Sequence, residues 1–229
     1  MVLMLHITII ISLLQSSNAT DDCFFIDGNG GIRRVISRIC SGEINIPNSV
    51  KYIAANAFYE CTNITSVTVP SSVTEIGEKA FYGCTGITSL FFEKDSQLMD
   101  IGECAFTGCR QLQNVSIPSS VTTIGGRAFS WCTSITTVLF EPNSQLNNIG
   151  DNAFNGCTKL ISITIPASVT SIGGDAFSQC TQLQSVYILS RNITISSSSF
   201  TRCASLSLIS TKQENNMTLP SVGNNLVVS

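Results

Sequence analysis

The chain has 229 residues, 43% of them hydrophobic, and a formal net charge of −3 built from few charges of either sign. That is enough chain to bury a sizeable core in one domain, and the absence of a basic block or acidic tail argues against partners such as nucleic acid or an anionic membrane surface. The only histidine is His6, inside the first segment, so the rest of the chain lacks Ser-His, Cys-His and His-ligated metal chemistry.

Residues 1–19 read as a secretory signal. An apolar run from Val2 to Leu14 leads into Gln15-Ser16-Ser17-Asn18-Ala19, with small residues where a signal peptidase reads and cleavage expected after Ala19. The run is shorter than the about 20 residues that a membrane span needs. Residues 20–43 read as an N-terminal cap, with a small hairpin around Gly28 to Gly31. Gly28-Asn29-Gly30-Gly31 has no following Lys-Ser/Thr, which makes it a turn and not a phosphate cradle. Cys23 and Cys40 flank the hairpin. They suit a disulfide closing the cap, the other reading being two packed thiols.

From residue 44 to 211 the chain repeats itself. Ala-Phe recurs at Phe58, Phe81, Phe106, Phe129, Phe154 and Phe177, with a degenerate seventh copy at Ser199-Phe200, at spacings of 23 or 25 residues. Three residues after each Phe stands a cysteine: Cys61, Cys84, Cys109, Cys132, Cys157, Cys180 and Cys203. Between cysteine and the next Ala-Phe, Ile64-Thr-Ser-Val67-Thr-Val69 alternates like a strand with one buried face, and Pro70-Ser-Ser is a turn. Val73 and Ile76 return the chain to the core. Gly77, Gly102, Gly125, Gly150 and Gly173 share one phase, as expected where the backbone needs a conformation that other residues resist. Alternate copies carry two extra residues, Glu93-Lys-Asp-Ser-Gln97 and Glu141-Pro-Asn-Ser-Gln145, so the full unit is a pair of coils 48 residues long.

One coil cannot bury its own apolar residues, so about seven coils of 23–25 residues must stack. The expected fold is a repeat solenoid with a parallel β-sheet on one side and turns or short helical segments on the other. Asn192, Ser196 and Ser199 break the pattern at the back, which suits a polar lid. Residues 212–229 form a polar tail, too short for a membrane helix or a lipid-anchor signal.

The seven in-phase cysteines read as a buried ladder of free thiols, because stacked side chains about 4.8 Å apart point in parallel and do not meet in disulfide geometry. Cys104 falls outside that ladder. Its equivalents are Asn56, Lys79, Arg127, Asn152, Asp175 and Ser198, so it is expected to face solvent, either as a chance surface residue or as a thiol able to crosslink chains. Asn-x-Ser/Thr sequons stand at Asn63, Asn114, Asn192 and Asn216, to be glycosylated only in a host whose export pathway does so.

The outward strand position reads Thr68, Phe91, Ser116, Leu139, Thr164 and Tyr187. Phe91, Leu139 and Tyr187 would form a stripe at about 10 Å intervals, twice the strand spacing. Such a stripe is a candidate interaction surface unless the longer turns fold over it. Glu93 and Glu141 read as solvated turn residues, too sparse for a calcium loop and a weak basis for carboxylate catalysis. No metal or cofactor is expected.

The recurring Ile-Pro-Ser-Ser-Val-x-x-Ile-Gly-x-x-Ala-Phe-x-x-Cys-x-x-Leu resembles the BspA-like leucine-rich repeats of microbial surface proteins, over roughly Ile44 to Thr211. The resemblance implies an exported protein of leucine-rich-repeat architecture that adheres to host matrix proteins, other microbes or epithelia and catalyses nothing. Its partner would be an extracellular protein or glycan, and the chain would be secreted or held at the cell surface. The alternative from the residues is a structural coat that assembles with itself, through Cys104 and the coil ends.

Overall fold

The computed structural model describes residues 23–35, 40–211 and 227–228. The signal segment, His6, the sequon at Asn216 and nearly all of the tail lie outside the described residues. The cap hairpin pairs β1 (Phe24–Ile26) with β2 (Gly31–Val35) antiparallel. Asp27 holds its turn by accepting the backbone N–H groups of Asn29 and Gly31 at 2.9 Å each, and it also takes the Tyr52 hydroxyl at 2.8 Å and the Arg33 guanidinium. The Gly31 N–H, followed by Arg33 and Tyr52, holds this carboxyl well below the usual carboxylate range. Cys23 and Cys40 are joined as a disulfide, their Cα atoms 5.0 Å apart.

The body is an alternation of longer and shorter strands around one apolar interior. The longer ones are β3 (Gly42–Asn45), β5 (Ile64–Val69), β7 (Ser89–Phe92), β9 (Asn114–Ile117), β11 (Thr137–Phe140), β13 (Ser162–Ile165), β15 (Ser185–Ile188) and β17 (Leu208–Thr211). Between them come pairs of residues: β4 (Tyr52–Ile53), β6 (Glu75–Ile76), β8 (Asp100–Ile101), β10 (Thr123–Ile124), β12 (Asn148–Ile149), β14 (Ser171–Ile172) and β16 (Thr194–Ile195). The solenoid therefore makes about eight turns, its last strand β17 flanked by β18 (Val227–Val228). The side expected to carry turns or short helical segments carries turns, together with a second parallel ladder, and no helix occurs among the described residues. Two residues per turn suffice, because Ile53, Ile76, Ile101 and their successors point inward at one phase while their backbones bond to the turns on either side.

The long strands do not form one continuous sheet. β3 to β11 make one and β13 to β18 another; β7 and β9 pair only at Ser89 and Asn114. Both weak steps follow the coils with longer turns, and the cause is in the sequence. Where the strand is followed by Glu93, Glu141 or Leu189, the backbone N–H donates to Val69, Ile117 or Ile165 of the preceding turn at 3.0 Å. Pro118 and Pro166 occupy that position in the intervening coils, and proline has no N–H to give.

Seven phenylalanine rings run down the core as one stack. Consecutive centroids from Phe58 to Phe200 lie 4.7 to 5.4 Å apart with planes within 7° of parallel. Phe24 of the cap closes one end edge-on, at 6.1 Å and 67° from Phe58. Alongside runs the cysteine ladder, free and buried. From Cys84 onward each thiol donates to the carbonyl of the phenylalanine one turn earlier, at 2.9 to 3.3 Å. Each of these carbonyls also accepts the backbone N–H of the cysteine three residues later, so the thiol fills its second lone pair.

The glycine phase has a different cause from the one expected. Gly77, Gly102, Gly125, Gly150 and Gly173 all have ordinary backbone angles, and a Cβ on any of them would lie 2.6 to 2.8 Å from backbone of the preceding turn. They are small so that turns can close on each other. The left-handed conformation falls instead on the residue before Ala-Phe, including Asn56, Lys79, Arg127 and Cys104 with φ between 53 and 59°. Cys104 does not face solvent as expected: it is 7% exposed. Of the residues at this phase it alone is buried, Asn56 and Arg127 being exposed and Lys79, Asn152, Asp175 and Ser198 half-buried, because a thiol packs as a small apolar group where its equivalents are polar.

Burial pushes the thiol of Cys61 up to about 11 and that of Cys84 to about 12. The fold favours the neutral thiol, so this contribution is complete below the ordinary thiol value of 9.0 and is lost as pH rises toward 11 and 12. The urea midpoint is expected to hold steady from neutrality to about pH 9 and to fall above it, with iodoacetamide labelling the ladder in urea but not in the native protein. Native labelling at neutral pH would contradict the buried ladder.

Candidate binding face

The outer face of the long strands is uncovered. Phe91, Leu139 and Tyr187 are 57%, 59% and 41% exposed, and the longer turns do not fold over them. Those turns lie back on the preceding coil instead: the Glu93 carboxylate accepts the Ser71 N–H at 3.1 Å and Glu141 accepts that of Ser119 at 3.0 Å. Both glutamates thus lock turns, a role the sequence reading did not assign. Registers place Phe91 beside Thr68, Leu139 beside Ser116 and Tyr187 between Thr164 and Ser210. Each large apolar side chain is therefore flanked by a small hydroxyl-bearing one, which is why it stands clear of its neighbours.

The interruption between β11 and β13 opens this face into a cavity of about 450 Å³. Its walls are Leu139, Phe140 and the turn Glu141 to Ser144 on one side, with Thr164, Pro166 and Leu189 on the other. Leu189 is exposed at the phase of Glu93 and Glu141 and joins the stripe. Its position could have been read from the repeat, since it is the one apolar residue where two glutamates precede it.

The sequons at Asn63, Asn114 and Asn192 are all exposed. Asn114 sits in β9 on this face, its side-chain oxygen 3.3 Å from the Thr136 hydroxyl. Among the described residues no group of three or more Cys, Asp, Glu or His stands where it could hold a metal ion. No helix there is long and apolar enough to cross a membrane.

A family model described as BspA type leucine rich repeat region matches the chain in six copies, over residues 38–145 and 99–222. Among solved structures, the chain is similar to a leucine rich cell surface protein of Faecalibacterium prausnitzii A2-165. Identity there is 25% and the TM-score 0.54, over 82% of this chain and 68% of that one. It also shares its fold with the pneumococcal vaccine antigen PcpA, at 21% identity and TM-score 0.63, covering 82% of this chain and 61% of that one. A leucine rich repeat protein of T. pallidum superimposes at TM-score 0.55 with 24% identity, over 85% and 81%. No curated protein matches the sequence.

Proposed function

The chain belongs to the BspA-type leucine-rich-repeat family, and we propose that it is an exported, non-catalytic recognition protein that adheres to extracellular macromolecules through the outer face of its long strands. The observation that carries this reading is the stripe of Phe91, Leu139 and Tyr187, large apolar side chains left in water at regular intervals on an otherwise hydroxyl-rich sheet. Leaving them there serves no packing purpose, and a rigid scaffold that presents apolar anchors within a polar rim is the usual anatomy of an interface. Export is supported by the signal-like residues 1–19 and by the cell-surface protein among the similar structures. The partner fitting this face best is an extracellular protein, because sheet, stripe and cavity together offer a broad surface.

Burial of Cys104 takes the crosslinking thiol away from the alternative of self-assembly and leaves it the coil ends alone. The test is retention of the purified mature protein on matrix proteins, glycans and whole cells, beside a variant with Phe91, Leu139 and Tyr187 all changed to serine. Saturable binding that drops at least about a hundredfold in a still-folded variant is the expected result, the sum of two or three lost anchors. Equal retention of both proteins would refute the assignment of the face.

A further inference from the structure

We propose that the turn side of the solenoid carries a second, separate site, for a saccharide, built on Trp131. The second residue after each core phenylalanine is held in the left-handed region: Gly83, Gly108 and Gly156 occupy it, but so do Glu60, Trp131, Gln179 and Arg202, with φ between 54 and 75° across all seven. A bulky L residue resists this conformation, and glycine demonstrably closes the same turn on both sides of Trp131. Packing of the fold therefore does not call for an indole there.

The indole is presented as a platform. Its six-membered ring lies over Gly156, such that a Cβ on that glycine would sit 2.9 Å from Cε3 and 3.0 Å from Cδ2. The ring is thus seated on bare backbone, while the residue remains 47% exposed. The Trp131 backbone N–H donates to the carbonyl of Asn155 at 2.7 Å, and from Asn155 onward the following turns line a cavity of about 400 Å³ with Asn155, Asp175, Ser178, Gln179, Thr201 and Arg202, every one polar; the indole stands beside this cavity and is not one of its walls. The cavity is organised before any ligand arrives. The Gln179 amide lies 3.4 Å from Asn155 Oδ1, and the Thr201 hydroxyl lies 3.0 Å from Asp175 Oδ1 and 2.8 Å from Ser178 Oγ. Arg202 takes part in none of the ion pairs of the described residues, so its donors remain for a guest.

A pyranose answers both halves. Its C–H face is apolar and stacks on an aromatic ring, and its hydroxyls donate and accept at once, which suits a ring of amide, carboxylate, guanidinium and hydroxyl groups. A volume of this size is ordinary for a small-ligand site, where a few placed polar groups set orientation. An extended peptide would need a free strand edge, and this side of each turn has none; a nucleic acid would need more cationic charge than one arginine.

The chain contains a single tryptophan, so tryptophan emission, excited where tyrosine does not absorb, reports on this site alone. The protein is titrated with the methyl glycosides of glucose, galactose, mannose and N-acetylglucosamine and applied to an array of their oligosaccharides. At least one sugar is expected to shift the emission to the blue saturably, to shield the indole from acrylamide, and to retain the protein on the array. Trp131→Gly is expected to lower that retention about tenfold or more, as loss of a stacked aromatic contact does, while matching or exceeding the parent in thermal stability. Trp131→Phe is expected to fall between them, and the triple serine variant of the strand face to keep the signal. The proposal is overturned if no sugar moves the emission or is retained, or if Trp131→Gly is retained as well as the parent.

Discussion

Phe129→Ala is expected to destabilise the protein by about 3–5 kcal/mol, the cost of removing a fully buried aromatic ring and leaving a cavity behind. Phe129 sits in the middle of the stack, 5.2 Å from Phe106 and 5.3 Å from Phe154, with no exposed surface. Two ring neighbours lose their partner at once, and the rigid ladders on either side prevent the turns from collapsing into the gap. In a structure whose turns contact only their neighbours, the loss falls on two adjacent interfaces and divides the stack there. Phe200→Ala serves as comparison, since Phe200 has one stacked neighbour in the series and should cost less. Urea denaturation of both variants measures this. A loss below about 1 kcal/mol at Phe129, within the range of ordinary substitutions, would show that the ring stack does not hold the solenoid together.

Two adjacent glycines give the second large effect. At Gly125 a Cβ would lie 2.8 Å from the Glu103 nitrogen and from the Gly102 carbonyl carbon, all of it backbone of the preceding turn. At Gly126 the nearest atom is the Asp151 carbonyl oxygen at 3.4 Å, an ordinary contact. Gly125→Ala must push two turns apart along both ladders and is expected to cost about 1–3 kcal/mol or more, as overpacking does. Gly126→Ala keeps an unstrained backbone and is expected to be neutral or to stabilise by up to about 1 kcal/mol through the unfolded chain. Thermal unfolding of the two variants side by side distinguishes them. Equal effects would mean that turn spacing is not set by this phase.

The periodic part of the fold was legible because each repeated residue does one job in every turn. Phe58 to Phe200 and Cys61 to Cys203 are in phase in the chain and in line in the structure. Less legible were effects that depend on which backbone lies opposite. Nothing in Ile-Gly distinguishes a glycine needed for its torsion angles from one needed for its missing Cβ, and Gly125 proved to be the second kind. Two-residue strands such as Thr123–Ile124 are too short to alternate, so their ladder left no period to read. Cys104 was placed by the polarity of its equivalents, but a thiol does not share their need for water. The outward positions of Phe91, Leu139 and Tyr187 followed from strand alternation alone, but the cavity beside Leu139 arises from Pro166 one coil later. Trp131 escaped notice because its meaning lies in Gly156, a full turn away.

The weak steps in the long-strand ladder also bear on how such a protein changes length over generations. Because a longer-turn coil bonds firmly to the coil before it and loosely to the one after, the two together behave as one cassette. Excising residues 102–149, a 48-residue cassette, would join Ile101 to Gly150 where Ile149 now precedes it, leaving every neighbour chemically of the same kind. Removing 23 or 25 residues alone would set two longer turns, or two prolines, against each other. Unequal crossing-over in the gene is then tolerated in double steps, and the reach of the molecule from its cap can be adjusted without redesigning any turn.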